Sequence, residues 1–148
     1  LNCQLCFEQV YNIIDGDSAS CAELYAILSS LSEIPFDQSI VVTGSVDQFG
    51  NVQPVGGVTH KIRGCYELYK TKGLTGNQGI IVPKQNVDEI ILDDDILDDI
   101  KEGKFHIYAI DNIEQGIEIF TDVSMNEIDK AIENKLKSYY EKLELKKS

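Results

Sequence analysis

Hydrophobic and polar positions alternate at two different periods along this chain, and the changes of period mark its elements. Leu1, Cys3, Leu5 and Phe7 recur every second residue, which predicts a strand running to about Tyr11 and a turn at IIDGDSAS. The stretch SASCAELYAILSSLS is apolar over most of a helical circumference, so that helix is expected to be central and buried. SIVVTGSVDQFGNVQPV then reads as two strands joined by a turn near Phe49-Gly50-Asn51. From Val58 the apolar residues Val58, Ile62, Cys65 and Tyr69 recur at helical spacing, and Gly73 stops that helix. A strand GIIVP follows, then a short helix near Asp88, a second helix through ILDDIKEG closed by Gly103, a strand KFHIYAI and a last short helix NIEQGIEIF. Such an order predicts the α+β class, a mixed sheet with flanking helices in one body over residues 1–123.

The tail, residues 124–148, has a different character. Ser124 and Glu127 have the spacing of a capping box, and Met125, Ile128, Ile132, Leu136, Tyr139 and Leu143 recur in steps of three and four. One amphipathic helix of about 20 residues is expected. It docks on the body or on a neighbouring subunit. The first is favoured, because the seam is shorter than the three to four heptads that argue for a coiled coil.

Composition narrows the functional classes. With 148 residues, 43% of them hydrophobic, and only three prolines, the chain is one globular domain by length. Its 13 basic residues stand against 25 acidic ones, a net charge of −12 that argues against a nucleic-acid partner. No run approaches the roughly 18 apolar residues of a membrane helix, and the first residues lack the pattern of a signal peptide, so no membrane partner and a cytoplasmic location are expected. Cys3 and Cys6 form a C-x-x-C, but strand alternation points them to opposite sides and there is no second pair, so no metal site is expected. ILDDDILDDI holds five aspartates without the spacing of a calcium loop and reads as a solvated acidic face.

One cation breaks the pattern of the helix that starts at Val58. At roughly 100° per residue, Ile62, Cys65 and Tyr69 fall within about 40° of Val58 and Leu68 about 80° to one side. Lys61 falls between Leu68 and Cys65, toward the apolar side. A buried lysine either pairs with an anion or loses its proton, and a neutral lysine is a base. A serine for it to activate stands in DGDSAS, at the start of a helix whose free N–H groups can stabilise an oxyanion. The plain alternatives are a lysine that snorkels to water and a serine that only caps its helix.

Three linked motifs resemble those of the proteolytic domain of the Lon family of ATP-dependent proteases: Asp15-Gly16-Asp17-Ser18-Ala19, then Thr43-Gly44, then Gly56-Gly57-Val58-Thr59-His60-Lys61. The resemblance runs from about Cys6 to Phe120. It implies the Lon protease-domain fold, which is similar to the second-domain fold of a small-subunit ribosomal protein. It also implies a serine endopeptidase in which Ser18 is the nucleophile, Lys61 the general base and Thr43 orients the lysine. Backbone N–H groups near Asp17 to Ala19 would hold the oxyanion, with Asp15 and Gly16 supporting the loop. Ser20, a rival nucleophile, lies roughly 200° around the helix from Ser18.

Many members of that family have Pro where Asp17 stands and Gly where Ser20 stands, which points to a Lon-like branch. A carboxylate at Asp17 suggests an ion pair with Lys61 that would hold a resting state, against the plainer reading of a carboxylate at a helix N-terminus. No G-x-x-x-x-G-K-[ST] occurs, so no cofactor is expected on this chain, and ATP and Mg are expected on an ATPase module N-terminal to Leu1. The resemblance further implies protein or peptide substrates and a hexameric ring. The alternatives are a Lon-shaped domain kept for assembly or binding without catalysis, and a non-protease member of the wider fold.

Overall fold

The structure is a computed structural model, and it describes residues 16–145 together with Gln4. The strand expected up to Tyr11, Cys3, Cys6 and Asp15 all lie outside the described residues. Three strands form a parallel sheet in the order β1 (Ile40–Val42), β4 (Gly79–Pro83), β5 (His106–Ile110). Ile81 of the central strand pairs with Val42 on one side and Tyr108 on the other. Parallel neighbours need crossovers. Here these contain α2 (Val58–Lys72) before β4 and α3 (Asp94–Lys101) before β5. The uninterrupted apolar run of GIIVP fits its central place, because every residue of β4 is buried.

Two cores lie on the two faces of this sheet. Ile81 joins Cys21 and Tyr25 of α1 (Ser20–Ser32), Ile117 and Phe120 of α4 (Ile113–Phe120), and Ile128 of α5 (Met125–Leu145). In that core the ring of Phe120 meets Tyr25 edge-on at 5.1 Å and stacks on Phe36 at 5.4 Å. Ile80 and Val82 point the other way, to Val58, Ile62 and Tyr66 of α2, Ile96 of α3 and Phe105. The period-two alternation of β4 thus separates the two cores. The expected class, an α and β mixture around a sheet flanked by helices, is the one observed, and the sheet itself is parallel.

The chain departs from expectation in four places. The predicted strand through SIVVTGSV breaks at Thr43-Gly44, and β2 (Ser45–Val46) leaves the sheet to pair antiparallel with β3 (Val52–Gln53). The break arises because Gly44 gives its N–H to the Ser18 carbonyl and its own carbonyl to the Cys21 N–H, leaving no strand partner there. Helix α1 begins at Ser20, two residues later than expected, and only Cys21, Tyr25 and Ser32 of it are buried. It contacts β2 and α5, and the rest of its circumference is only half covered by described residues. The short helix near Asp88 is a 3₁₀ helix, Lys84–Glu89. The acidic run is a docking rim as well as a solvated face: Asp93 pairs with Arg63 at 3.1 Å and Asp95 with Lys70 at 2.9 Å, joining α3 and its leading loop to α2.

Helix α5 packs along α1. Glu127 accepts the Ser124 backbone N–H at 2.9 Å, the glutamate half of a capping box, while the Ser124 hydroxyl donates to the same carboxylate instead of capping an N–H. Ile128 is buried and Met125 and Ile132 lie against the first core, whereas Tyr139, Tyr140 and Leu143 are exposed. Among the described residues, no helix is long and apolar enough to cross a membrane.

Candidate active site

The lysine side of the site is built from α2. Gly57 sits at its N-terminus in the left-handed region at φ 70°, which a side chain would disfavour. Just upstream, Asn86 grips the Val55 backbone at both ends, accepting its N–H at 2.9 Å and donating to its carbonyl at 3.0 Å. Asn86 is only 3% exposed, so this pair of bonds sits where water does not compete. It anchors the chain just ahead of α2, upstream of Lys61, whose backbone N–H bonds to the Gly57 carbonyl at 3.1 Å.

Lys61 itself is half-buried, less enclosed than the sequence suggests. The residues of α2 that are fully buried are Val58, Ile62 and Tyr66, while Leu68 is 53% exposed. Tyr66 lies about 80° from Val58 on the side away from Leu68, so the buried stripe is turned toward Tyr66 and Lys61 falls on its border. There its Nζ donates a hydrogen bond to Thr43 Oγ1 at 3.2 Å.

The serine side is a turn laid against the break between β1 and β2. Ser18 and Ala19 precede α1, and Gly16, exposed at φ 95°, supplies the left-handed residue of the approach. The Ser18 carbonyl accepts from the Gly44 N–H at 3.0 Å and from the Thr43 hydroxyl at 3.3 Å. Cys21 N–H bonds to the Gly44 carbonyl at 3.1 Å. Gly44 has no room for more: a Cβ there would lie 3.1 Å from Cys21 Sγ and 3.2 Å from Val52. Burial pushes the Cys21 thiol up to about 11, so it stays protonated and is a packing group.

Thr43, 7% exposed, therefore accepts from Lys61 and donates to the Ser18 backbone, bringing residues from three separate motifs together. No hydrogen bond among the described residues joins Lys61 to Ser18 directly, and none uses the backbone N–H of Ser18 or Ala19. The suggested ion pair between Asp17 and Lys61 does not form. The Asp17 carboxylate instead accepts the Ser45 hydroxyl at 2.8 Å, because Ser45 is the partner that β2 brings beside it. Ser20 is engaged as well, its Oγ accepting the Val46 N–H at 3.0 Å. No group of His, Cys, Asp and Glu among the described residues could hold a metal ion.

Asn86 and Ser45 escape a reading of the sequence. Nothing in PKQN marks a buried amide, and Ser45 stands in what reads as a continuous strand.

Comparison with known sequences decides the family. The family described as Lon protease (S16) C-terminal proteolytic domain matches residues 13–122. This chain belongs to that family. A Lon protease homolog of Escherichia coli (strain K12) is 45% identical over 119 residues, 80% of this chain and 20% of that protein. A second, of Haemophilus influenzae, is 45% identical over 115 residues, 78% of this chain and 19% of that protein. An archaeal Lon protease of Archaeoglobus fulgidus is 34% identical over 139 residues, 94% of this chain and 20% of that protein. The chain thus spans about a fifth of the length of these Lon relatives. Its three motifs all lie within the matched residues.

Proposed function

We propose that this chain is the peptidase domain of a Lon-type protease that cleaves proteins with a Ser–Lys dyad, Ser18 as nucleophile and Lys61 as general base. The observation that carries the reading is the chain of hydrogen bonds from Lys61 Nζ through Thr43 Oγ1 to Ser18. With Lys61 neutral, its nitrogen takes the Ser18 hydroxyl proton as Oγ attacks a peptide carbonyl, and the lysine returns that proton to the departing amine when the C–N bond breaks. Water then cleaves the acyl ester by the same base. The N–H groups of Ser18 and Ala19, at a helix start, are the candidates to hold the oxyanion. Thr43 orients the lysine and the serine backbone at once. Bonds between catalytic side chains are often long before substrate binds and tighten in the complex.

ATP and Mg belong, on this reading, to a separate module, since the chain has no Walker loop. A hexameric ring and cytosolic protein substrates go with the same reading. The missing direct bond between Ser18 and Lys61 favours one rival, a Lon-shaped domain that assembles or binds without catalysis. Casein and peptide hydrolysis by the full-length protein separates the two. Activity that vanishes in both Ser18→Ala and Lys61→Ala supports the dyad; activity that survives either substitution, or is absent from the unaltered protein, sinks it.

A further inference from the structure

We propose that Ser45 is a positioning residue for Ser18, acting through the carboxylate of Asp17; this rests on the dyad reading above. Ser45 is 8% exposed on β2, and its hydroxyl donates to Asp17 Oδ2 at 2.8 Å. A hydroxyl donating to a carboxylate is among the stronger hydrogen bonds available to a serine, and here the donor is buried while the acceptor is exposed. Asp17 is the residue directly before Ser18, so this bond, together with the Ser20 N–H that the Asp17 carbonyl accepts at 3.0 Å, sets the peptide plane that carries the Ser18 N–H, a candidate oxyanion donor. The residue on the other side is tied to the same strand, Ser20 Oγ accepting the Val46 N–H at 3.0 Å. Ser18 is thus held between two side-chain ties to β2, while its carbonyl is tied to Thr43 and Gly44.

The carboxylate tie matters because, among the described residues, it is the side-chain tie on the N-terminal side of Ser18. Gly16 is exposed, and among the described residues a Cβ there would meet nothing within 4 Å. Without Ser45 the Asp17–Ser18 peptide keeps only the tie from the Ser20 N–H to the Asp17 carbonyl and can tilt, shifting Oγ and the Ser18 N–H relative to Lys61. A misplacement of about 1 Å at a reacting group costs on the order of 100-fold in rate, and a partial one correspondingly less. Ser45 touches no reacting atom. Its bond also occupies the Asp17 oxygen that faces β2, giving that carboxylate a partner other than Lys61.

The test is a set of variants of the full-length protein assayed on one fluorogenic peptide, with kcat and KM separated. Ser45→Ala is expected to lower kcat by about 10-fold to 30-fold with KM within about twofold, as suits a geometric rather than a binding defect. Asp17→Ala should match it, and the Ser45→Ala/Asp17→Ala double variant should be no worse than either single one, because one link is broken in all three. Asp17→Asn retains a carbonyl oxygen for the Ser45 hydroxyl and should keep kcat within about threefold. Wild-type kcat in Ser45→Ala, additive losses in the double variant, or a loss in Asp17→Asn equal to that in Asp17→Ala would each overturn the proposal. Should Ser45→Ala fail to fold, the exposed Asp17 still supplies the alanine–asparagine comparison. Ser18→Ala and Lys61→Ala run beside them: if those two abolish hydrolysis while the Ser45 and Asp17 variants do not matter, only the positioning role fails.

Discussion

The two faces of the sheet carry the two halves of the candidate site, and they hold them by different means. On the α2 face, Lys61 rides on a helix seated by Ile62 and Tyr66, anchored upstream by Asn86 and edged by ion pairs to Asp93 and Asp95. On the α1 face, Ser18 precedes its helix and is held by serine, threonine, aspartate and backbone groups of the segment 17–21 against the segment 43–46. Thr43, at the end of β1, is where the two meet. The lesson is that the candidate base is positioned mainly by packing and the candidate nucleophile by hydrogen bonds. Substitutions on the two faces should therefore fail differently.

The largest effect is expected from deleting the buried anchors of both faces. Ile62→Ala and Ile117→Ala, each fully buried in a different core, should each cost about 2–5 kcal/mol of stability in urea unfolding. If the cores are energetically separate, the double variant should add within about 0.5 kcal/mol; a large interaction would break the two-face description. Gly116→Ala comes next. A Cβ there runs into the ring and hydroxyl of Tyr25, which donates to the Ile113 carbonyl at 3.0 Å, so overpacking should cost about 1–3 kcal/mol on the α1 face alone. Asn86→Ala should cost a similar or smaller amount, about 1–3 kcal/mol, because it strands the Val55 N–H and carbonyl in a buried place. It should also lower peptidase kcat, and an unchanged kcat would show that the Val55 anchor does not steer Lys61.

The smallest effect is a pH dependence shared by both faces. Burial pushes the thiols of Cys21 and Cys65 from the usual 9.0 up to about 11. The unfolded chain then loses these protons at lower pH than the folded one, so the stability they contribute is full below about pH 9 and declines as pH rises toward about 11. Urea midpoints measured across that range should fall less steeply in Cys21→Ala and in Cys65→Ala. Equal slopes in all three proteins would count against the burial of these groups.

Much of the fold is legible along the chain because it rests on local signals. GIIVP is uniformly apolar and becomes the central strand; Gly73 and Gly103 close their helices; Asn112 caps α4 by accepting the Gln115 N–H at 3.2 Å. The break at Thr43-Gly44 is not legible, since VVTGSV satisfies strand propensity throughout and the competing partner, the Ser18 carbonyl, is 26 positions from Gly44. Helical stepping found Lys61 on the apolar side of α2 but not its half-exposure, because the centre of the buried stripe depends on which neighbour α2 meets, and that neighbour draws in Tyr66. The acidic run was legible as solvated but not as a rim that pairs with Arg63 and Lys70.

By itself the sequence determined most of the order of the described elements and carried the three motifs whose resemblance to the Lon family points to Ser18, Thr43 and Lys61, because such signals depend on spacing within a few residues. Only the tertiary structure decided which polar atoms meet: that Lys61 reaches Thr43, that Asp17 turns to Ser45 rather than to Lys61, and that Asn86 steadies Val55. The reason is physical. Periodicity reports which side of an element faces apolar surroundings, whereas a hydrogen bond between residues 18 or more positions apart depends on distances of a few tenths of an ångström set by how whole elements pack.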